Sequence, residues 1–155
     1  MVLEPEWGKK VEESLLLEEE LREEKNIYLK ISSTMIKFKS LNQNKEFLKI
    51  LKNKRINNKY FTIYFSKNIQ DSNKYLNISF VTKKKIGNAV TRNKIKRKLK
   101  SAIQKNLDNK RLIDLNYTYV IFGKNNVYKD KFSLIFDEVN ETFKKIKQIG
   151  NRTWN

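Results

Sequence analysis

The pattern strand, basic helix, strand across residues 75–122 constrains the fold more than any other feature of this chain. Tyr75 to Lys83 alternates, with Leu76, Ile78 and Phe80 on one face and Tyr75, Asn77, Ser79 and Val81 on the other. That period of two marks a sheet strand. From about Val90 to Asn106 the period lengthens. Ile95, Leu99, Ala102, Ile103 and Asn106 share one helical stripe, and Asn93, Lys96, Arg97, Lys100 and Gln104 lie opposite. Tyr117 to Phe122 is again a strand, rich in aromatic and β-branched residues. Two strands joined through a helix should run parallel, and the general rule makes the crossover right-handed.

The remaining elements fit around this unit. Leu41 to Asn53 reads as a helix, with Phe47, Ile50 and Leu51 at i, i+3 and i+4 and Asn42 or Asn44 available as N-cap. Lys52 to Asn58 is a polar turn with room for a short strand, and Tyr60 to Phe65 is a strand. Asn68 to Asn73 is a polar connection, and Asp108 to Asn116 a turn region. Asp130 is placed to cap a last helix whose apolar face is Phe132, Ile135, Phe136, Val139, Phe143 and Ile146. Helix, two or three strands, helix, strand, helix implies an α+β or α/β two-layer sandwich. Residues 1–34 read as an acidic extension, mobile or loosely docked, with Leu15, Leu16 and Leu17 too isolated for a core face. The main domain is expected over 35–150, with Met35 a candidate start, and residues 151–155 as a frayed tail.

Charge narrows the partner. The chain has 34 Lys+Arg against 17 Asp+Glu. Residues 1–34 hold 9 Glu and 5 basic residues, so residues 35–155 hold 29 basic and 8 acidic, a net of +21. Such a domain favours a polyanion through phosphate neutralisation and counterion release, although codon bias also enriches Lys. There are no Cys and no His residues. That excludes disulfides and Cys-based zinc, and it removes the commonest general base and metal ligand. Acidic residues are sparse in the basic domain, and Asp137, Glu138 and Glu141 read as one solvated helix face, so no protein catalytic constellation is expected. No apolar run approaches the roughly 20 residues of a membrane span, and the acidic N-terminus is no secretory signal. A cytoplasmic protein is expected.

The positive charge peaks between Lys83 and Lys100, where nine of eighteen residues are Lys or Arg, and no acidic residue occurs from Leu76 through Leu107. Ile95 and Leu99 pin one face of this helix to a core, so most of the cations must project to solvent. Gly87 permits a tight loop before the helix, and the helix N-terminus adds free N–H donors. A solvated basic face without a ligand is the plain alternative. Uncompensated self-repulsion within one element argues against it. A membrane-surface helix and a helix-turn-helix DNA reader over residues 91–106 rank lower, because a strand directly precedes this helix. Neither a membrane nor DNA is expected as partner. A structural rRNA-binding protein remains the alternative from a different class.

The run Lys84-Lys85-Ile86-Gly87-Asn88-Ala89-Val90-Thr91-Arg92-Asn93-Lys94-Ile95-Lys96-Arg97 resembles the signature of the bacterial ribonuclease P protein component, whose "RNR" motif reads roughly K-K-[IV]-G-x-A-V-x-R-N-x-[IL]-[KR]-R. Lys94 stands where the motif has its second Arg, which keeps the charge and loses the fork. The resemblance spans about residues 36–148. Ser40 departs from a basic residue common there, and Gly123-Lys124 from an Ala-Arg. The resemblance implies an αβββαβα sandwich like a ribosomal-protein domain, with a left-handed βαβ crossover in place of the right-handed one. It implies that Lys84, Lys85, Asn88, Arg92, Asn93, Lys96, Arg97 and Lys100 contact ribonuclease P RNA. It also implies that a cleft with Phe47, Leu51 and Tyr64 holds the 5′ leader of precursor tRNA. Leu51 stands where relatives often carry a second aromatic, which removes one stacking face. Without the resemblance, Phe47 and Tyr64 read as ordinary core. The RNA subunit would hold Mg2+ and cut the phosphodiester, with the protein raising substrate affinity and screening phosphate repulsion.

Overall fold

The computed structural model describes residues 6–34, 36–68, 75–109 and 112–152. The chain divides into two units between residues 35 and 36. The first contains α1, Glu6–Thr34, built from the strong helix formers Glu, Leu and Lys. Its consecutive Leu15, Leu16 and Leu17 point about 100° apart around the 3.6-residue turn. They form no single stripe, and each is more than half exposed.

The second unit carries β1 (Lys37–Lys39), α2 (Asn44–Leu51), β2 (Arg55–Asn57), β3 (Phe61–Lys67) and β4 (Tyr75–Thr82). Then follow α3 (Ala89–Asn109), β5 (Tyr117–Gly123), α4 (Asn126–Lys129) and α5 (Phe132–Arg152). The sheet order is β1-β4-β5-β3-β2. β4 and β5 are adjacent and parallel, with α3 between them in sequence, which is the expected strand–helix–strand unit. β3 runs antiparallel to both β5 and β2. The αβββαβα order from α2 to α5 is therefore present in an α+β fold. Two elements are additions that the sequence pattern does not announce. Strand β1 has only three residues and pairs with β4, and α4 is a single turn.

Strand alternation gives the sheet two faces. On one, Ile63 pairs with Ile121, Phe65 with Tyr119, and Ile78 with Tyr119. α3 and α5 close this face with Ile95, Leu99, Ile103, Ile135, Val139 and Phe143, all essentially buried. Asn106, on the same stripe, is fully buried, and its amide donates to Asn140 of α5, which satisfies a donor that burial would otherwise penalise. The Tyr119 hydroxyl donates to the Asp114 carbonyl at 2.8 Å, and burial pushes its pKa far up. On the other face Tyr64 pairs with Val120 and Thr62 with Phe122, and α2 packs there against β3 and β5.

Three local expectations are corrected. Gln43, not Asn42 or Asn44, occupies the α2 N-cap position, and its side chain makes no capping bond. Asp130 does not cap α5. Its carboxylate instead accepts from Lys59 Nζ at 2.7 Å and from the Tyr60 hydroxyl at 2.9 Å, because the α4 turn aims it at the start of β3. Helix α5 continues through Asn151 and Arg152, so these two residues belong to the helix and not to a frayed tail. Met35, residues 69–73 of the polar connection, and residues 153–155 lie outside the described residues.

Candidate nucleic-acid interface

The basic segment begins where β4 leaves the sheet. Lys84–Ile86 forms one 3-10 turn. Gly87 follows with φ +154 and ψ −167, a backbone region open in practice only to glycine. Asn88 then caps α3, its Oδ1 accepting the Thr91 N–H at 2.9 Å. One acceptor of Asn88 is therefore committed to structure, while its amide donors remain.

Along α3 the cations separate by edge. Asn93 and Arg97 point outward and are exposed. Arg92 and Lys96 are half-buried, and Lys100, exposed, lies with its Nζ 5.6 Å from the Phe38 ring centre. The Arg92 Nε is buried without a hydrogen-bond partner among the described residues. On the opposite edge Lys94 sits over Tyr128 at 5.0 Å. Lys98 donates to the carbonyls of Val127 at 3.0 Å and Asp130 at 2.7 Å. Lys98 thus serves the fold, while most of the other cations here face solvent as expected. Among the described residues, no ion pair involves any cation from Lys83 to Lys100.

A groove of about 360 Å³ opens on the α2 face of the sheet. Leu51, Tyr64 and Phe122 give it apolar walls, and Lys83, Lys85 and Lys124 stand at it. Phe122 is the hub: its ring centre lies 5.7 Å from Tyr64 and 6.3 Å from Phe47, both in tilted or edge geometry. The structure therefore brings Leu51 and Tyr64 to one groove, while Phe47 is not in its lining and reaches it only through ring contact with Phe122. It also brings Lys85, a loop residue expected to contact the RNA subunit, to that groove. Sequence reading missed Phe122, Lys83 and Lys124. The missed signal for Phe122 was its strand parity, shared with Val120 and opposite to Tyr119 and Ile121. The Lys124 ammonium also donates to Asn57 Oδ1 at 2.7 Å and to the Asn58 carbonyl, tying the end of β5 to the β2–β3 turn.

Gly123 explains how closely the basic helix approaches. A Cβ there would meet Ile95 Cγ2 at 2.6 Å and Leu99 Cδ1 at 3.0 Å. The absent side chain lets α3 seat against β5 beside the groove.

These features define a class: a basic α+β domain with an aromatic groove on its half-open sheet face and an unpaired cationic helix next to it. The family model for ribonuclease P matches residues 35–147. The ribonuclease P protein component of Carboxydothermus hydrogenoformans is 36% identical over 118 residues, covering 74% of this chain and 96% of its own. That of Mesoplasma florum is 36% identical over 104 residues, covering 66% and 90%. The solved RNase P protein from Thermotoga maritima aligns with a TM-score of 0.58 at 27% identity, over 69% of this chain and 96% of its own. This chain belongs to the ribonuclease P protein family. It is a protein component of an endoribonuclease holoenzyme of tRNA processing, and membership implies association with ribonuclease P RNA.

Proposed function

We propose that the loop residues Lys84, Lys85 and Asn88 and the helix residues Arg92, Asn93, Lys96, Arg97 and Lys100 bind ribonuclease P RNA. In the same reading, the groove of Leu51, Tyr64 and Phe122, with Phe47 packed on the Phe122 ring, holds the single-stranded 5′ leader of precursor tRNA. The observation that carries this is the juxtaposition of a cationic segment without ion pairs and an aromatic groove that shares Lys85 with it. Aromatic walls stack bases regardless of sequence, and cationic rims follow the backbone. Leu51 contributes apolar contact without a stacking face.

The chain's own residues neutralise phosphates and orient the leader. They do not fit a resident metal, because the described residues hold no group of three Asp or Glu suited to one, and the chain has no His or Cys. In this reading Mg2+ and phosphodiester hydrolysis belong to the RNA subunit. No helix among the described residues is long and apolar enough to cross a membrane, and we place the protein in the cytoplasm with its tRNA substrates.

Reconstitution with a bacterial ribonuclease P RNA tests the proposal. Phe47→Ala is expected to weaken precursor tRNA binding by the worth of one stacked base, about 1–3 kcal/mol, and to leave mature tRNA binding unchanged. Equal losses for both tRNAs would refute the leader assignment. Tight binding of rRNA fragments with no dependence on a leader would favour a structural rRNA-binding role.

A further inference from the structure

A second groove lies on the same sheet face, at the other end of α2. It measures about 480 Å³, and its lining includes Asn42, Gln43, Glu46 and Asn77, with the lysines Lys39, Lys49 and Lys67 also at it. Its character differs from that of the aromatic groove: amides, hydroxyls and one carboxylate replace ring faces. The side chains of Asn42, Gln43 and Asn77 make no hydrogen bond among the described residues. The wall they stand on is held in place, since the Leu41 N–H donates to Ser79 Oγ at 3.0 Å and so ties the β1–α2 link to β4.

We propose that this groove receives one nucleobase of single-stranded RNA, further along the strand that the aromatic groove holds; the inference rests on the leader reading above. Three observations favour a base over a phosphate. Glu46 disfavours a phosphate seated directly beside its carboxylate, although three lysines share the lining. Amide side chains offer donors and acceptors together, as a base edge requires. The cations Lys39 and Lys49 remain for the flanking phosphates. A carboxylate is an acceptor only, so it selects a base with adjacent N–H donors. Guanine, with an imino and an amino N–H side by side, fits best. Because α2 forms a wall of both grooves and is only about 12 Å long at 1.5 Å per residue, one extended strand reaches both.

The test uses holoenzyme reconstituted with ribonuclease P RNA and precursor tRNAs whose leaders grow by one nucleotide at a time, ending in guanine or uracil. Wild-type protein is expected to show one length at which guanine binds about 3- to 10-fold more tightly than uracil, the worth of one or two hydrogen bonds. Glu46→Gln should lose that step, Asn42→Ala should reduce it, and all three proteins should bind shorter leaders alike. Both residues are exposed, so melting curves are expected to stay unchanged. Absence of a base-dependent step at any length overturns the proposal, as does an equal loss by Glu46→Gln on mature tRNA. Phe47→Ala, run in parallel, separates the two ideas. If it weakens precursor tRNA binding but not mature tRNA binding while no guanine step exists, only the second groove is refuted. If it does not, the leader reading falls as well.

Discussion

The two faces of one sheet differ in what covers them. On the closed face, Ile63, Leu76, Tyr119 and Ile121 are fully buried beneath two 21-residue helices, α3 and α5. On the open face, Thr62, Tyr64 and Phe122 stay half-exposed, because the eight-residue α2 is too short to cover the strands. Val120 of β5 and Ile50 of α2 itself are nevertheless buried, so the open face is anchored as well as accessible. The same strands serve both roles, one residue apart. Closing one face supplies stability, and leaving the other partly bare supplies a groove.

Mutations can break or sharpen this contrast. The largest effect is expected from Leu99→Ala on the closed face, about 2–5 kcal/mol of stability, measured by denaturant unfolding. Phe122→Ala on the open face should cost clearly less stability and more leader affinity; equal destabilisation would erase the distinction. Next comes Gly123→Ala. Its new methyl meets the stiff Ile95 branch, so about 1–3 kcal/mol of overpacking strain is expected. An unchanged melting temperature would show that α3 withdraws freely from β5.

Smaller effects concern charge. Arg97→Ala is expected to leave stability unchanged and to reduce the salt slope of ribonuclease P RNA binding by about 1. An identical slope would remove Arg97 from the interface. The smallest effect is at Asp130, whose carboxyl is held below 3.8 first by the hydrogen bond from Lys59 and then by that from Tyr60. A carboxyl lowered by folding adds stability that is fully present above about pH 4 and fades as the pH falls through its folded value. Wild type should therefore exceed Asp130→Asn in stability at neutral pH, and the two curves should converge in acid. A gap constant with pH would assign the effect to packing alone.

Long, periodic elements are legible in the sequence. The alternation of β4, the Ile95–Leu99–Ile103 stripe and the apolar face of α5 all reappear in the fold, because each pattern repeats often enough to define a period. β1 is not legible. Lys37-Phe38-Lys39 has no strand signal of its own and is extended only because β4 offers it an edge. Lys98 looks like its neighbours on α3, and only the carbonyls of Val127 in α4 and of Asp130 just after it convert it into a structural residue. Asp130 stands at a proper capping distance in sequence, yet it bonds instead with Lys59 and Tyr60, about 70 residues away.

Sequence alone determined the closed face, the cationic segment and the family, since these depend on local periodicity, local charge density and a contiguous motif. Only the tertiary structure decided that Phe47, Tyr64 and Phe122 converge, that Lys85 stands at their groove, and that a polar groove lies beyond it. Those contacts join residues from separate elements, and strand order and register place them together. Neither is written in any single stretch of chain.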